Sequence, residues 1–279
     1  MTSTLVHRRR MALVTTPLVG GAMAVIVAMT GSGIAHADTT DTVTATEAAS
    51  ALEDASRLSS SAAAEATVSG DEVTTDANDD AGVAIPTDAE DGVELGVGES
   101  ALTVNLPYSD DAGRARVVND GTIAYPSNDG VANAVQVDNA GAVSFSTVIA
   151  GPDSPSVYPY EFDLPEGASF QPQDDGSILV ISSDEAVLQA IGAPTAKDAN
   201  GVAVSTWYDV NGDELVQHVD HNEDSVAYPV VADPFVIPAY MVWKIIRCGG
   251  GAWLGWISSG GWAWYGRALA VVGGCITAW

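Results

Sequence analysis

The sequence predicts a mainly β protein. The expected architecture is a small antiparallel sheet or sandwich with one short helix, preceded by a disordered acidic linker and followed by a small apolar Trp/Gly-rich module, helical or hairpin. Three observations predict it. Short β-type runs alternate with Asn-, Asp- and Gly-bearing turns between residues 96 and 233. Residues 38–95 contain no aromatic residue and few large apolar ones. Six of the seven tryptophans follow residue 234.

Residues 1–37 read as a secretory signal peptide. Arg8, Arg9 and Arg10 form a positive n-region, residues 11–34 are uncharged and mostly apolar, and Ala35-His36-Ala37 is a small-x-small cleavage site. The apolar stretch is also about long enough, at roughly 20 residues, to serve as an uncleaved anchor; the cleavage site at Ala35 and Ala37 favours release. An arginine pair suits twin-arginine export as well, but Met11-Ala12-Leu13 is not its usual continuation, so the general route is expected. No cysteine follows the apolar run, which excludes a lipoprotein anchor. The predicted localisation is secreted or extracellular, with association to the cell envelope through the C-terminal module.

Residues 38–95 are dominated by Ala, Thr, Ser, Asp and Glu. Such a composition buries too little apolar surface to offset the entropy of ordering, so a disordered linker is predicted. Its Ala-rich stretch, residues 46–66, forms at most a transient helix, because an isolated helix of that length is marginal.

Residues 96–233 form the predicted β-rich domain. Asn119-Asp120-Gly121 precedes a run over 122–125. Residues 134–137 lead through Asn139-Ala140-Gly141 into 142–148. Asp174-Asp175-Gly176 precedes 177–182, and residues 204–210 lead through Asn211-Gly212-Asp213 into 214–219. Asn-Gly and Asp-Gly pairs supply the positive φ that tight hairpins need, and regular spacing of such units indicates an antiparallel sheet. The single helix is placed at residues 182–191, where Ser182 and Glu185 match a capping box and Gly192 and Pro194 match a stop.

The C-terminal module, residues 234–279, inverts the charge of the rest. The formal net charge is -27, yet every Asp and Glu lies between Asp38 and Asp233; the module carries Lys244, Arg247 and Arg267 and no acid. Trp243, Trp253, Trp256, Trp262, Trp264 and Trp279 crowd into it, punctuated by Gly runs. Trp and Tyr favour the headgroup layer of a bilayer, and each cation near an anionic surface contributes about 1 kcal/mol. These nine side chains are the candidate membrane-interacting residues. Cys248 and Cys275, the only cysteines, read as a disulfide in an exported chain, closing a loop worth about 3 kcal/mol on a chain-entropy basis. The alternative for this module is packing against the β domain or forming a small core of its own. Its aromatic patch also predicts self-association.

The run Ile191-Gly192-Ala193-Pro194, Asp198-Ala199-Asn200-Gly201 and Leu215 to Asp220-His221, ending in Tyr228-Pro229-Val230-Val231-Ala232-Asp233-Pro234, resembles a group of secreted actinobacterial proteins of uncharacterised function. These share an acidic β-rich region closing on that motif, followed by diverse C-terminal pieces. The resemblance covers about residues 158–234. It implies a common front domain with a tail carrying the individual activity, and it carries over no catalytic residue. In composition alone the tail resembles membrane-active peptides of the bacteriocin type.

Enzymatic chemistry finds little purchase. His218, Asp220 and His221 cannot share one strand face, a poor geometry for a metal. Asp209-Val210-Asn211-Gly212-Asp213 begins like a calcium loop but has Glu214 where Gly is needed and Asp220 where Glu is needed, so a hairpin is expected. No Gly-x-Ser-x-Gly elbow is present, and the abundant carboxylates single out no glycosidase pair. An acidic chain repels nucleic acid. The expectation is a secreted non-enzymatic protein, requiring no cofactor or metal, whose tail engages a membrane or envelope, with a bacteriocin-like effector as its sharpest form. The alternatives are a cell-surface structural or adhesive protein anchored by its tail, and a carboxylate-based hydrolase.

Overall fold

The computed structural model describes residues 42–55, 63–77, 82–96, 98, 101–118, 121–127, 129–139 and 141–238. Residues 1–41 and 239–279 lie outside them. Helix α1 spans Ala45–Ala55. The strands in chain order are β1 (Ala66–Ser69), β2 (Glu72–Thr75), β3 (Val83–Pro86), β4 (Val93–Leu95), β5 (Leu102–Asn105), β6 (Arg116–Val118), β7 (Thr122–Tyr125), β8 (Val131–Val137), β9 (Val143–Ile149), β10 (Val157–Asp163), β11 (Ser169–Pro172), β12 (Ile178–Ile181), β13 (Val187–Ile191), β14 (Thr195–Lys197), β15 (Ala203–Val204), β16 (Thr206–Asn211), β17 (Glu214–Val219), β18 (Val230–Asp233) and β19 (Phe235–Pro238). The protein is mainly β, antiparallel throughout these strands, with one α-helix among the described residues.

The strands form two sheets. One has eight strands in the order β1-β2-β3-β4-β5-β10-β17-β16; the other has eleven, running β11-β12-β13-β19-β9-β18-β14-β15 with β8, β7 and β6 continuing from the free edge of β9. The chain shuttles between them, so neither is built from one contiguous stretch. Their facing sides share one core. Val104, Tyr158, Tyr160 and Leu215 come from the smaller sheet, and Ile123, Val135, Phe145 and Ile149 from the larger. Phe145 and Tyr160 meet edge to face at 6.5 Å between ring centroids, a favoured aromatic geometry. Tyr160 Oη and Thr147 Oγ1 are 2.8 Å apart, so the phenol is not orphaned between the sheets.

Helix α1 forms a third layer. Ala45, Ala48, Ala51 and Leu52 bury against Ala124, Ala132, Ala134 and Val148 on the far side of the eleven-stranded sheet. Short side chains on both partners allow close approach. This explains why every residue of β8 and β9 is buried: one set of alternating residues faces the other sheet, the other set faces the helix. Thr44 starts the helix with a reciprocal capping box. Its Oγ1 accepts from Glu47 N at 3.2 Å, and Glu47 Oε2 accepts from Thr44 N at 2.9 Å.

Two expectations require correction. Residues 42–95 are not a disordered linker over their described parts: they supply α1 and β1 to β4. Their few large apolar residues are nearly all used, with Val73, Ile85, Val93 and Leu95 at most 2% exposed. The segment adds strands to an existing sheet and therefore needs only a few well-registered side chains, which averaging composition over the window conceals. Ties to the body include Ala64 N to Val137 O at 2.7 Å and Tyr125 Oη to Pro86 O at 2.6 Å. Ala64 also crosses Gly121 so closely that a Cβ there would lie 2.1 Å from its carbonyl oxygen.

The helix expected at residues 182–191 is instead a turn followed by β13. Ser182 Oγ accepts from Ala186 N at 3.1 Å, and Glu185 sits at φ 63, so the Ser-x-x-Glu spacing closes a strand connection. Pairing of β12 with β13, Ile178 opposite Ile191, outweighs the local helix signal. The one α-helix among the described residues lies in the Ala-rich stretch, with burial supplying what an isolated helix lacks.

Candidate functional site

The motif Tyr228 to Pro234 lies at the centre of the larger sheet. Strands β18 and β19 line one edge of β9, with Val230 opposite Ile149 and Val236 opposite Val143. On their other side, Asp233 is opposite Thr195 of β14 and Val236 opposite Ile191 of β13. Pro234 breaks the strand in two because it has no N–H to give the ladder; its carbonyl still accepts from Phe145 N at 3.0 Å. A near-continuous apolar run suits a strand flanked on both edges and buried on both faces.

A hydrogen-bonded cluster fixes the approach to this strand. His221 is fully buried. Its Nε2 lies 2.9 Å from Pro155 O; a carbonyl only accepts, so Nε2 carries a proton and donates. Its Nδ1 lies 2.9 Å from Tyr228 Oη, and that hydroxyl is 2.8 Å from the His221 carbonyl oxygen, to which it donates. Tyr158 Oη donates to the same Pro155 carbonyl, and burial pushes the Tyr158 hydroxyl pKa up. Asp198 holds the neighbouring loop, accepting from Asn200 N and Val202 N through Oδ1 at 2.9 and 2.8 Å and from Ala227 N through Oδ2 at 3.2 Å. The Tyr228–Pro229 peptide is cis. These contacts tie Tyr228 and His221 to the surrounding fold, a structural role for this part of the motif.

The two histidines part company. His218 points to the opposite side, out of the eight-stranded sheet, where it stacks on Trp207 with ring centroids 5.0 Å apart and planes 3° from parallel. Its Nε2 lies 3.0 Å from Asp209 Oδ2. Hairpin register creates this arrangement: Trp207 is directly opposite His218, and Asp209 follows two residues later on the same face of β16. The hairpin expected at Asn211-Gly212-Asp213 is present, with Asn211 opposite Glu214. Among the described residues no group of three or more His, Cys, Asp or Glu side chains is placed to hold a metal ion.

Register extends the outer face of this sheet in rows. Trp207, His218 and Val157 form the first; Asp209, Val216 and Pro159 form the second. Asn211, Glu214, Glu161 and Asn105 form the third, and Asp163, Thr103, Glu94 and Ala84 the fourth. One end of the face is thus apolar and the other carboxylate-rich. Trp207 is 46% exposed and Val157 39%. Among the described residues the only Lys and Arg are Arg114, Arg116 and Lys197, none of which lies on this face. What the face offers chemically is stacking, apolar contact and charge-assisted hydrogen bonding to a cation.

The sequence carries a signal for Trp207 on the outer face. In Thr206-Trp207-Tyr208-Asp209-Val210-Asn211, period-two alternation places the tryptophan with Asp209 and Asn211, on the polar side. The residues expected to touch a membrane, Trp243, Lys244, Arg247, Trp253, Trp256, Trp262, Trp264, Arg267 and Trp279, lie outside the described residues. So do the expected disulfide partners Cys248 and Cys275 and the cleavage residues Ala35 and Ala37. The module's boundary shifts, however. Phe235–Pro238 is strand β19, paired to β9 and β13, so the β domain continues to Pro238. Among the described residues no helix is long and apolar enough to cross a membrane.

No protein-family model matches the chain, and no curated protein matches it.

Proposed function

We propose that this is a secreted, non-enzymatic carrier whose acidic β-rich body brings a C-terminal module, residues 239–279, to a membrane or cell envelope. There the module acts as a bacteriocin-like effector closed by a Cys248–Cys275 disulfide. The observation that carries this reading is the charge partition: no acid follows Asp233, and the module concentrates six tryptophans with Lys244, Arg247 and Arg267. The architecture supports it. The body ends on a strand held from both sides, a firm attachment for a segment that works elsewhere. The motif that resembles the secreted actinobacterial group falls on β18 and its approach, directly before that strand, which fits a common carrier bearing diverse tails.

The test is vesicle binding by the oxidised peptide 239–279 and by the full secreted chain, read by tryptophan fluorescence and dye leakage. A blue shift with leakage on anionic vesicles, absent on neutral ones, is the expected result. A peptide that neither binds nor leaks vesicles of either charge overturns the reading. Inhibition of bacterial growth by the peptide separates an effector from an anchor, because an anchor does not kill.

A further inference from the structure

We infer that the outer face of the eight-stranded sheet is a docking surface for this chain's own C-terminal segment, residues 239–279; the inference rests on the carrier reading above.

The face has the chemistry of half a complex. At one end Trp207 and Val157 remain exposed around His218, with Val216 and Pro159 beside them. A few paces along the same strands stand Asp209, Glu214, Glu161, Asp163 and Glu94. Like charges collected on one face repel one another, and among the described residues no lysine or arginine lies on that face to offset them. An exposed tryptophan in an apolar strip is a preferred anchor for a partner. The complementary surface is therefore aromatic and apolar, bears cations and lacks acids.

Residues 239–279 answer that description, with Lys244, Arg247 and Arg267, six tryptophans and no carboxylate side chain. Reach is no obstacle. This stretch of 41 residues spans roughly 135 Å when extended, at about 3.3 Å per residue, several times the radius of a domain of this size. Lys244, six residues past Pro238, reaches roughly 20 Å before its side chain is added, about twice the spacing of two packed sheets. The segment is covalently attached, so the local concentration is in the millimolar range even for a flexible connection, roughly, and weak contacts suffice. Docking would cover the apolar tryptophans while the protein crosses water. It would also leave the interaction open to competition by an anionic surface, which offers the same charges at higher density.

The chain allows a clean experiment because Lys197 and Lys244 are its only lysines. The full secreted chain is treated with a zero-length carbodiimide, which joins an amine to a carboxylate in contact with it, and the linked peptides are read by mass spectrometry. Lys244 is expected to couple to Asp209, Glu161 or Glu214. The variant Trp207→Ser, which keeps all three coupling carboxylates, should lower that yield about threefold, as expected from removing the aromatic anchor. Links from Lys197 serve as the control for reagent activity and intact fold. Lys244 links confined to carboxylates on other elements, or absent while Lys197 reacts, overturn the inference. A mixture of normal and heavy-isotope chains tests the tether: links between isotopes in place of links within one chain overturn intramolecular docking and assign the face to a second copy. The carrier reading fails separately, through a peptide that ignores vesicles, whatever Lys244 contacts.

Discussion

The two sheets share one core but treat their other faces differently. The eleven-stranded sheet is covered again by α1, so β8 and β9 are buried along their whole length. Among the described residues no further layer covers the outer side of the eight-stranded sheet, and β16 and β17 alternate between inward and outward positions. The contrast is written into side-chain size and polarity. In β8 the residues toward the helix are Ala132, Ala134 and Gln136, while those toward the other sheet include Val131, Val135 and Val137. In β17 the inward residues are Leu215, Gln217 and Val219, and the outward ones Glu214, Val216 and His218. A face built from small residues awaits another element of the same chain, whereas a face of exposed aromatic and acidic residues is free for something else.

Substitutions on opposite sides of the shared core give the largest separation. Phe145→Ala removes a fully buried ring packed against Tyr160, and should cost about 3–5 kcal/mol. Trp207→Ala, on the open face, should shift stability by only about 0.5 kcal/mol, the scale of surface changes. Urea unfolding of both variants checks the pair; equal losses would mean that the outer face is a packed interface in the isolated protein. A smaller effect probes the covered face. Ala134→Leu places added bulk where Ala134, fully buried, meets the α1 layer, and overpacking of this kind costs about 1–3 kcal/mol. Amide hydrogen exchange should show the loss concentrated in α1. If Ala134→Leu is neutral, the helix packs more loosely than the alanine-on-alanine contact requires.

Of the smaller sheet only the β16–β17 hairpin was legible in the sequence; β1 to β4, half of its strands, fell in the expected disordered linker, although one wet face forces alternation in the rest. Asn211-Gly212-Asp213 marks its hairpin, and Tyr158, Tyr160 and Phe162 on β10 alternate with Val157, Pro159, Glu161 and Asp163. The layer made by α1 was hidden for the opposite reason. An alanine-rich helix on an alanine-lined sheet shows no strong hydrophobic stripe, and its stability comes from a partner more than seventy residues away in sequence, roughly, rather than from local propensity. Ser182 and Glu185 show the converse failure, a strong local signal overruled by strand pairing. The candidate docking face was half legible: the charge asymmetry is a property of composition, but bringing Trp207, Val157 and Glu161 onto one surface needs the pairing of β10 with β17.

The smallest effect tests how firmly the second face of the larger sheet is covered. The capping box at Thr44 and Glu47 is the start of α1, and Thr44→Ala should cost about 1 kcal/mol. Part of that loss should depend on pH. Hydrogen bonds from the Thr44 backbone N–H, and then from its hydroxyl, favour the ionised carboxylate and hold the Glu47 pKa below its ordinary value of 4.5. A folded-state pKa below the unfolded one adds stability that is fully present above the unfolded pKa and is lost as pH falls through the folded one. The wild-type protein should therefore lose the Glu47 contribution on acidification below about pH 4.5, near the ordinary glutamate value. Glu47→Gln should abolish that component, and Thr44→Ala should reduce it without removing it, since the backbone donor remains. Urea midpoints measured for the three proteins on both sides of that pH decide the matter: parallel acid profiles would show that the carboxylate contributes nothing to seating α1 on the sheet.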